Sequence, residues 1–154
     1  MLTSILCFLL LAAPQFDSFK AERAPLQTSL DATVEGTGAR VFSASKATRL
    51  EAIGVVATME VMLEPTRNPL FSASKSSSDV KAIVNKRVKD IKDKVSDLLK
   101  QRVVSLNSVG ATEQLTVIVY LTNTNPADAP DLPDTLVFTV KKSAPTQVDI
   151  REVR

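Results

Sequence analysis

Residues 79–104 read DVKAIVNKRVKDIKDKVSDLLKQRVV, the longest stretch of helical periodicity in the chain. Apolar side chains recur there at steps of three and four, which places them on one face of an α-helix. Asp79 lies where a side chain can accept hydrogen bonds from the free amides of the first turn. We therefore predict a long amphipathic helix over Asp79–Val104. Its apolar stripe comprises Val80, Ile83, Val84, Val88, Ile91, Val95, Leu98 and Leu99.

The segments on both sides of this helix have a period of two, which is typical of β-strands. Ile53–Leu63 alternates over its whole length, and Pro65 ends it. On the other side, Leu115–Thr122 and Leu136–Val140 alternate in the same way, and Val148–Val153 is a candidate for one more strand. These patterns predict strands before and after the helix.

A further alternating segment lies upstream. Leu26–Glu35 places apolar or small residues on one side and mostly polar residues on the other, and we interpret it as the first strand. Gly36-Thr37-Gly38 follows, and we interpret it as a β-bulge after which Ala39–Phe42 continues the strand. A phosphate-binding loop would need more glycines and a helix starting directly behind them.

Strands on both sides of a single helix predict an α+β fold, with a mostly antiparallel sheet and one long amphipathic helix across a face. The expected order is β-β-α-β-β, and Val148–Val153 is the optional fifth strand. Residues 30–154 are expected to form a single α+β domain. Residues 22–29 are expected to be a flexible lead-in, because the surrounding stretch is polar and contains Pro14 and Pro25.

The chain begins with a short apolar segment, MLTSILCFLLLAA at residues 1–13. A helix needs ~20 apolar residues to cross a bilayer, so this segment is too short, and it suits a secretory signal peptide. We assign residues 1–21 to a signal peptide or hydrophobic leader and expect export to the periplasm, cell envelope or extracellular space. An uncleaved anchor and a helix docked on the domain remain alternatives. Cleavage after Ala12, after Ala13 or near Ala21 stays open.

Composition narrows the available chemistry. The chain has no histidine, and its only cysteine, Cys7, lies in the leader. Histidine is the usual general base of hydrolytic triads, and cysteine and histidine are the ligands of structural zinc. The net charge of +2 gives no strong field to attract nucleic acid. We therefore predict a protein that is not an enzyme, with no catalytic residues, no cofactor, no metal and no nucleic-acid partner.

Two motif-like features favour ordinary structural roles. The pentapeptide FSASK occurs at residues 42–46 and 71–75, but one copy leads into a predicted strand and the other into the helix, so no repeat unit is indicated. Asp128, Asp131 and Asp134 are three residues apart and lack the glycine and distal glutamate of a calcium-binding loop.

The charged residues of the predicted helix also favour a structural role. Aspartates are interspersed with the cations, and no aromatic residue is available for base stacking, so we expect a solvated face. Three glutamates of the first half form no recognisable acid–base pair. These are Glu51, Glu60 and Glu64. The helix cations are Lys81, Lys86, Arg87, Lys89, Lys92, Lys94, Lys100 and Arg102, and the aspartates are Asp79, Asp90, Asp93 and Asp97.

Leu30–Gly38, Ile53–Leu63 and Ser76–Val104 together resemble SIMPL-domain proteins. In that family a short strand runs into a Gly-x-Gly element, a second alternating strand follows, and a long helix starts in an Ala/Ser-rich stretch. The family usually continues with a further strand pair and a second helix, which this chain does not match. The resemblance implies an exported envelope protein without known catalytic residues. Some members of the family assemble into rings. The resemblance also implies that Gly36 and Gly38 are structural.

We expect an exported, non-enzymatic envelope or surface protein that acts through self-assembly or protein–protein contacts. Its partner would be another copy of the chain or a different protein. The alternative is a monomeric secreted binding module or inhibitor that inserts the hairpin 123–134 into a target. Membrane contact is expected only through an uncleaved leader, and a small-molecule ligand stays open.

Overall fold

The computed structural model describes residues 15–63, 77–122 and 131–154. These residues form two helices and a five-stranded sheet, which confirms the α+β class. Residues 1–14 of the leader, the second FSASK copy and the hairpin tip 123–130 lie outside the described residues. Residues 15–21, which we assigned to the leader, instead form the first turns of a helix, and Phe19 is part of the core with 7% of its surface exposed. In chain order the elements are α1 (Gln15–Glu35), β1 (Arg40–Leu50), β2 (Gly54–Met62), α2 (Ser77–Ser105), β3 (Gln114–Thr122), β4 (Thr135–Lys141) and β5 (Val148–Val153).

The sheet has the strand order β1-β2-β3-β4-β5. β2 and β3 are parallel, and the other three pairings are antiparallel. A parallel pair needs a long crossover connection, and α2 lies in the connection between β2 and β3. The sheet is therefore mixed, with antiparallel pairings in the majority, as the sequence predicted.

Both helices contribute to one hydrophobic core on the same face of the sheet. α2 covers the predicted segment 79–104, and Val84, Ile91 and Val95 of its stripe are fully buried. Leu99 is fully buried, whereas Leu98 is only half-buried. The sheet contributes alternate residues of its three central strands. These are Val55, Ala57, Met59, Val61, Leu115, Val117, Val119, Leu136, Phe138 and Val140.

The prediction of a strand over Leu26–Glu35 is wrong, because this segment belongs to α1. Leu26, Leu30 and Val34 are buried, with exposed fractions of 1%, 0% and 0%. Positions four residues apart share one face of a helix and also one face of a strand, so the alternation did not distinguish the two. Residues 22–29, which we expected to be flexible, lie in the same helix, which continues through its internal proline.

The segment Gly36-Thr37-Gly38 ends α1 and is not a bulge within a strand. The Gly36 amide donates to the Ala32 carbonyl at 3.0 Å, and the Gly38 amide donates to the Glu35 carbonyl at 2.9 Å. Gly38 has a φ of 80°, in the left-handed region that glycine adopts at helix ends without strain. The segment before Gly36 resembles in sequence the strand that leads into Gly-x-Gly in SIMPL-domain proteins, but in this chain it is helical.

Candidate functional site

The second face of the sheet is not covered by either described helix. Successive residues of a strand point to opposite faces, so the residues between the buried core positions form this second face. We call it the open face. Strand pairing aligns its side chains in rows across β1 to β5.

The middle row of the open face crosses all five strands. Its members from β1 to β5 are Lys46, Thr58, Ile118, Val137 and Arg151. The three central members are half-buried, and the two outer members are exposed. The middle row therefore has three uncharged, half-buried residues at its centre and a cation at each end.

The rows on either side of the middle row are more polar at their centres, which contain three threonines and Glu60. On one side Glu60 lies next to Tyr120, which is 44% exposed, and Val153 at the β5 end is 49% exposed. On the other side Val56 is half-buried in the centre, and Asp149 is exposed at the β5 end. The centre of the open face is thus a mixture of valine, isoleucine, tyrosine and threonine side chains with Glu60 among them, and its margins carry charges of both signs.

A mixed surface of this kind is compatible with a non-obligate protein interface, which as a whole is only about as apolar as the rest of a protein surface. Five strands ~4.8 Å apart with a rise of ~3.3 Å per residue give the face a projected area of roughly 600 Å². A standard interface buries ~800 Å² of accessible surface per partner, and the accessible area of a corrugated face exceeds its projection. The open face is therefore large enough for one contact of standard size.

A shallow depression of about 660 Å³ lies at the β4–β5 side of the open face. Lys141, Asp149 and Arg151 supply its charges, and Val137 and Thr139 form part of its floor. All three charged residues are exposed, so no buried polar group is available to fix a small ligand. We therefore treat the depression as part of the open face.

The acidic residues noted in the sequence do not converge on a site. Within the described ranges, no group of three acidic, cysteine or histidine residues could hold a metal ion. Asp131 forms an ion pair with Lys81 of α2 at 3.9 Å, and Glu60 lies on the open face. On α2, Lys86 pairs with Asp90 at 2.5 Å, as expected for a solvated helix surface. Asp128 and Glu64 lie outside the described residues.

The most buried charged side chains hold loops in place. Arg49 Nη2 donates to both carboxylate oxygens of Glu113, at 2.7 and 2.9 Å. Glu113 also accepts a hydrogen bond from the Gly110 amide at 2.6 Å. Glu22 of α1 accepts one from the Ser108 amide at 3.1 Å. These carboxylates are engaged in fixing the α2–β3 connection, which indicates a structural role.

The sequence contained a signal for the open face that its interpretation did not use. Val56, Ile118 and Val137 lie on the second face of strands whose first face is already apolar. A strand that is apolar on both sides indicates a second packing partner. The sequence analysis placed one helix across a face of the sheet without saying which strand residues it covers, so the second face was not identified as a candidate surface.

The described residues thus form two α+β layers, and none of their elements covers the open face. Neither described helix has the length and hydropathy needed to cross a membrane. Comparisons with protein-family models, curated proteins and solved structures found no match to this chain. The functional argument therefore rests on the open face itself.

Proposed function

We propose that this is an exported, non-catalytic protein that acts by binding another protein through the open face. The observation that carries the proposal is a sheet face that no described element covers, with half-buried Val56, Ile118 and Val137 at its centre and charges at its margins. The partner surface that fits it is a protein patch with an apolar centre and charges of both signs. Such complementarity favours one orientation of binding and a contact that depends on salt concentration.

The central aromatic residue is the best candidate for the strongest contact. Tyr120 is the only tyrosine of the chain, and its side chain is 44% exposed between Glu60 and Thr135. Tyrosine is enriched among the residues that dominate binding energy, because it buries a large rigid area and offers a hydroxyl group. Ile118 and Val137 lie in the adjacent row and extend the apolar contact area.

The remaining parts of the proposal are supported by the sequence. The apolar leader at residues 1–13 supports export, and the lack of histidine supports a non-catalytic role. The intact mass of protein recovered from the exported fraction tests the first point. Loss of residues 1 to about 21 would support a cleaved signal peptide. A full-length mass in the cytoplasmic fraction alone would exclude export.

Site-specific photo-crosslinking in the producing cell tests the open face directly. A benzoylphenylalanine placed at Tyr120 should form one discrete adduct, whose second component mass spectrometry identifies. The matched control carries the same group at Asn85, an exposed residue of α2 on the opposite side of the molecule. The adduct should disappear when Val137→Lys is added, because a charge then lies in the apolar centre.

The outcome that contradicts the proposal is equally specific. Equal adduct patterns at Tyr120 and Asn85, or an adduct at Tyr120 that persists with Val137→Lys, would exclude the open face as the binding surface. The identified component must then bind the purified protein, with an affinity that Val137→Lys lowers. A component that binds both forms equally would also contradict the proposal.

A further inference from the structure

The two edges of the sheet differ in how well they can accept another strand. An edge strand presents a row of backbone groups that a second strand can pair with, unless it is interrupted or covered. The register of β1 with β2 shifts between Val41 and Ser43 and again between Ser43 and Lys46. Such bulges break the regular row of backbone groups and increase the local twist. The β1 edge is therefore a poor template for pairing.

α1 engages the backbone at the second of these shifts. The Ser45 amide donates to Asp31 Oδ1 at 2.9 Å, and the Gln27 side-chain amide donates to the Ser45 carbonyl. The Ser45 hydroxyl donates to the Gln27 carbonyl at 3.0 Å. Ser45 is 3% exposed as a result. Its backbone groups are already bonded, which closes this part of the edge to an incoming strand.

The β5 edge has neither bulges nor a described covering element, and its protection against pairing is limited to the charges of Asp149, Arg151 and Glu152. Its six residues pair with β4 in one continuous register from Val148 to Val153. The strand contains neither proline nor glycine, and in the described part of the chain no strand lies on its outer side. Ile150 and Val153 are 37% and 49% exposed. A regular, exposed edge of this kind is a ready template for a further strand.

We propose that β5 pairs antiparallel with β5 of a second copy of this chain, with Ile150 opposite the partner's Ile150. A two-fold symmetric antiparallel pair always places one residue opposite its own copy. If this residue were Asp149, Arg151 or Glu152, two like charges would lie directly opposite each other, which is destabilising. Centres at the ends of the strand would leave most of β5 unpaired.

The register centred on Ile150 is self-complementary. It places Asp149 opposite the partner's Arg151, and Arg151 opposite the partner's Asp149. The two charges already lie on the same face of the strand, where Arg151 Nε contacts Asp149 Oδ2 at 3.2 Å. Glu152 points to the helix side and pairs with Lys92 of α2, so its charge is compensated within the chain. The two flanking ion pairs therefore select this register.

Pairing in this register would join two sheets into one of ten strands with both open faces on the same side. The dimer would offer its protein partner two adjacent copies of the open face. The inference is independent of the proposed function, because a dimer with no external partner and a monomer with one are both physically possible. The two are tested by different measurements.

Charge exchange across the two-fold axis tests the register. The purified full chain should be a dimer by light scattering coupled to size-exclusion chromatography. Asp149→Arg alone and Arg151→Asp alone should each raise the dissociation constant about tenfold or more, because each places like charges opposite each other twice. An equimolar mixture of the two variants should restore the dimer as a mixed species. Lys46→Glu on β1 is the control for a change in net charge and should leave the dimer intact.

Three results would overturn the inference. These are a wild-type chain that stays at the monomer mass at every concentration, single variants that both stay dimeric, and a mixture of the two variants that stays monomeric. Thermal unfolding of each variant, monitored by circular dichroism, checks that the exposed substitutions leave the fold intact. Failure of this test leaves the Tyr120 crosslink unaffected, whereas loss of that crosslink with an intact dimer contradicts only the proposed function.

Discussion

Gly54 gives the sharpest test of how closely β2 and β3 approach each other in the structure. It has a φ of 121° and pairs with Gln114 at the start of the parallel ladder. A Cβ atom added at this position would lie 2.0 Å from the Gln114 carbonyl oxygen and 2.9 Å from its nitrogen. Both atoms belong to the backbone, so no side-chain rotation can relieve the overlap. Gly54→Ala therefore requires the two central strands to move apart.

The cost of this substitution has two parts. An L-residue at this φ is strained by ~1–3 kcal/mol. Separation of the strands also weakens the 3.0 Å hydrogen bond from the Gln114 amide to the Ile53 carbonyl, at ~1 kcal/mol. We expect Gly54→Ala to lower the free energy of unfolding by about 3 kcal/mol. For a chain of this length, that corresponds to a fall in Tm of roughly 10 °C.

Gly38→Ala is the matched control. Gly38 also has a positive φ, 80°, but an added Cβ would meet only the Arg87 side chain at 3.7 Å, which is an ordinary contact. This variant should lose only the conformational term, ~1 kcal/mol. Urea unfolding followed by circular dichroism measures both variants on one scale. If Gly54→Ala costs no more than Gly38→Ala, the close approach of Gly54 to β3 is wrong.

Two further predictions concern charged groups. Glu113→Leu removes the carboxylate that binds the Arg49 side chain, of which only 4% is exposed, and should lower the free energy of unfolding by about 3 kcal/mol. The double change Arg49→Leu/Glu113→Leu should cost less than the sum of the two single changes; an equal cost would show that the pair is not coupled. The hydrogen bond from Lys86 lowers the pKa of the Asp90 carboxyl. The small contribution of this hydrogen bond to stability is therefore present above the pKa of Asp90 in the unfolded chain, and it is lost as the pH falls through the pKa of Asp90 in the folded protein. An NMR titration should therefore find an Asp90 pKa below 3.8 that Lys86→Ala raises, and an unchanged value in that variant would refute the assigned cause.

The helix and strands predicted in the second half of the chain agree with the described elements to within a few residues, because their periodicities were unambiguous. α2 is twenty-nine residues long and its buried stripe recurs from Val80 to Val103, a length that no strand accommodates. β3 and β4 alternate between turn-forming segments, and β5 begins after Pro145, in a position that the sequence left optional. Long, consistent patterns leave one secondary structure that buries all the apolar residues, and they can be interpreted without tertiary information.

β1 was largely missed because its pattern is irregular. The sequence predicted a strand only to Phe42, whereas β1 extends to Leu50. The two register shifts change which face successive residues occupy, so the strand has no constant period of two. Its interior also contains Ser45 and Arg49, both largely buried, which a hydropathy pattern assigns to the surface. These residues are buried only because Asp31, Gln27 and Glu113 supply their hydrogen-bond partners.

The candidate binding surfaces could not be predicted for a related reason, because they depend on which side of the sheet the first segment covers. Had Leu26–Glu35 formed the strand that its alternation suggests, it could have paired along β1 and covered that edge with backbone. As a helix it lies on the core side instead, and Asp31 reaches the backbone of Ser45 at the bulge. One edge is thereby closed by side chains, while β5 stays regular and exposed at the other. The asymmetry between the edges, on which the dimer proposal rests, therefore originates in the segment whose secondary structure the sequence analysis predicted wrongly.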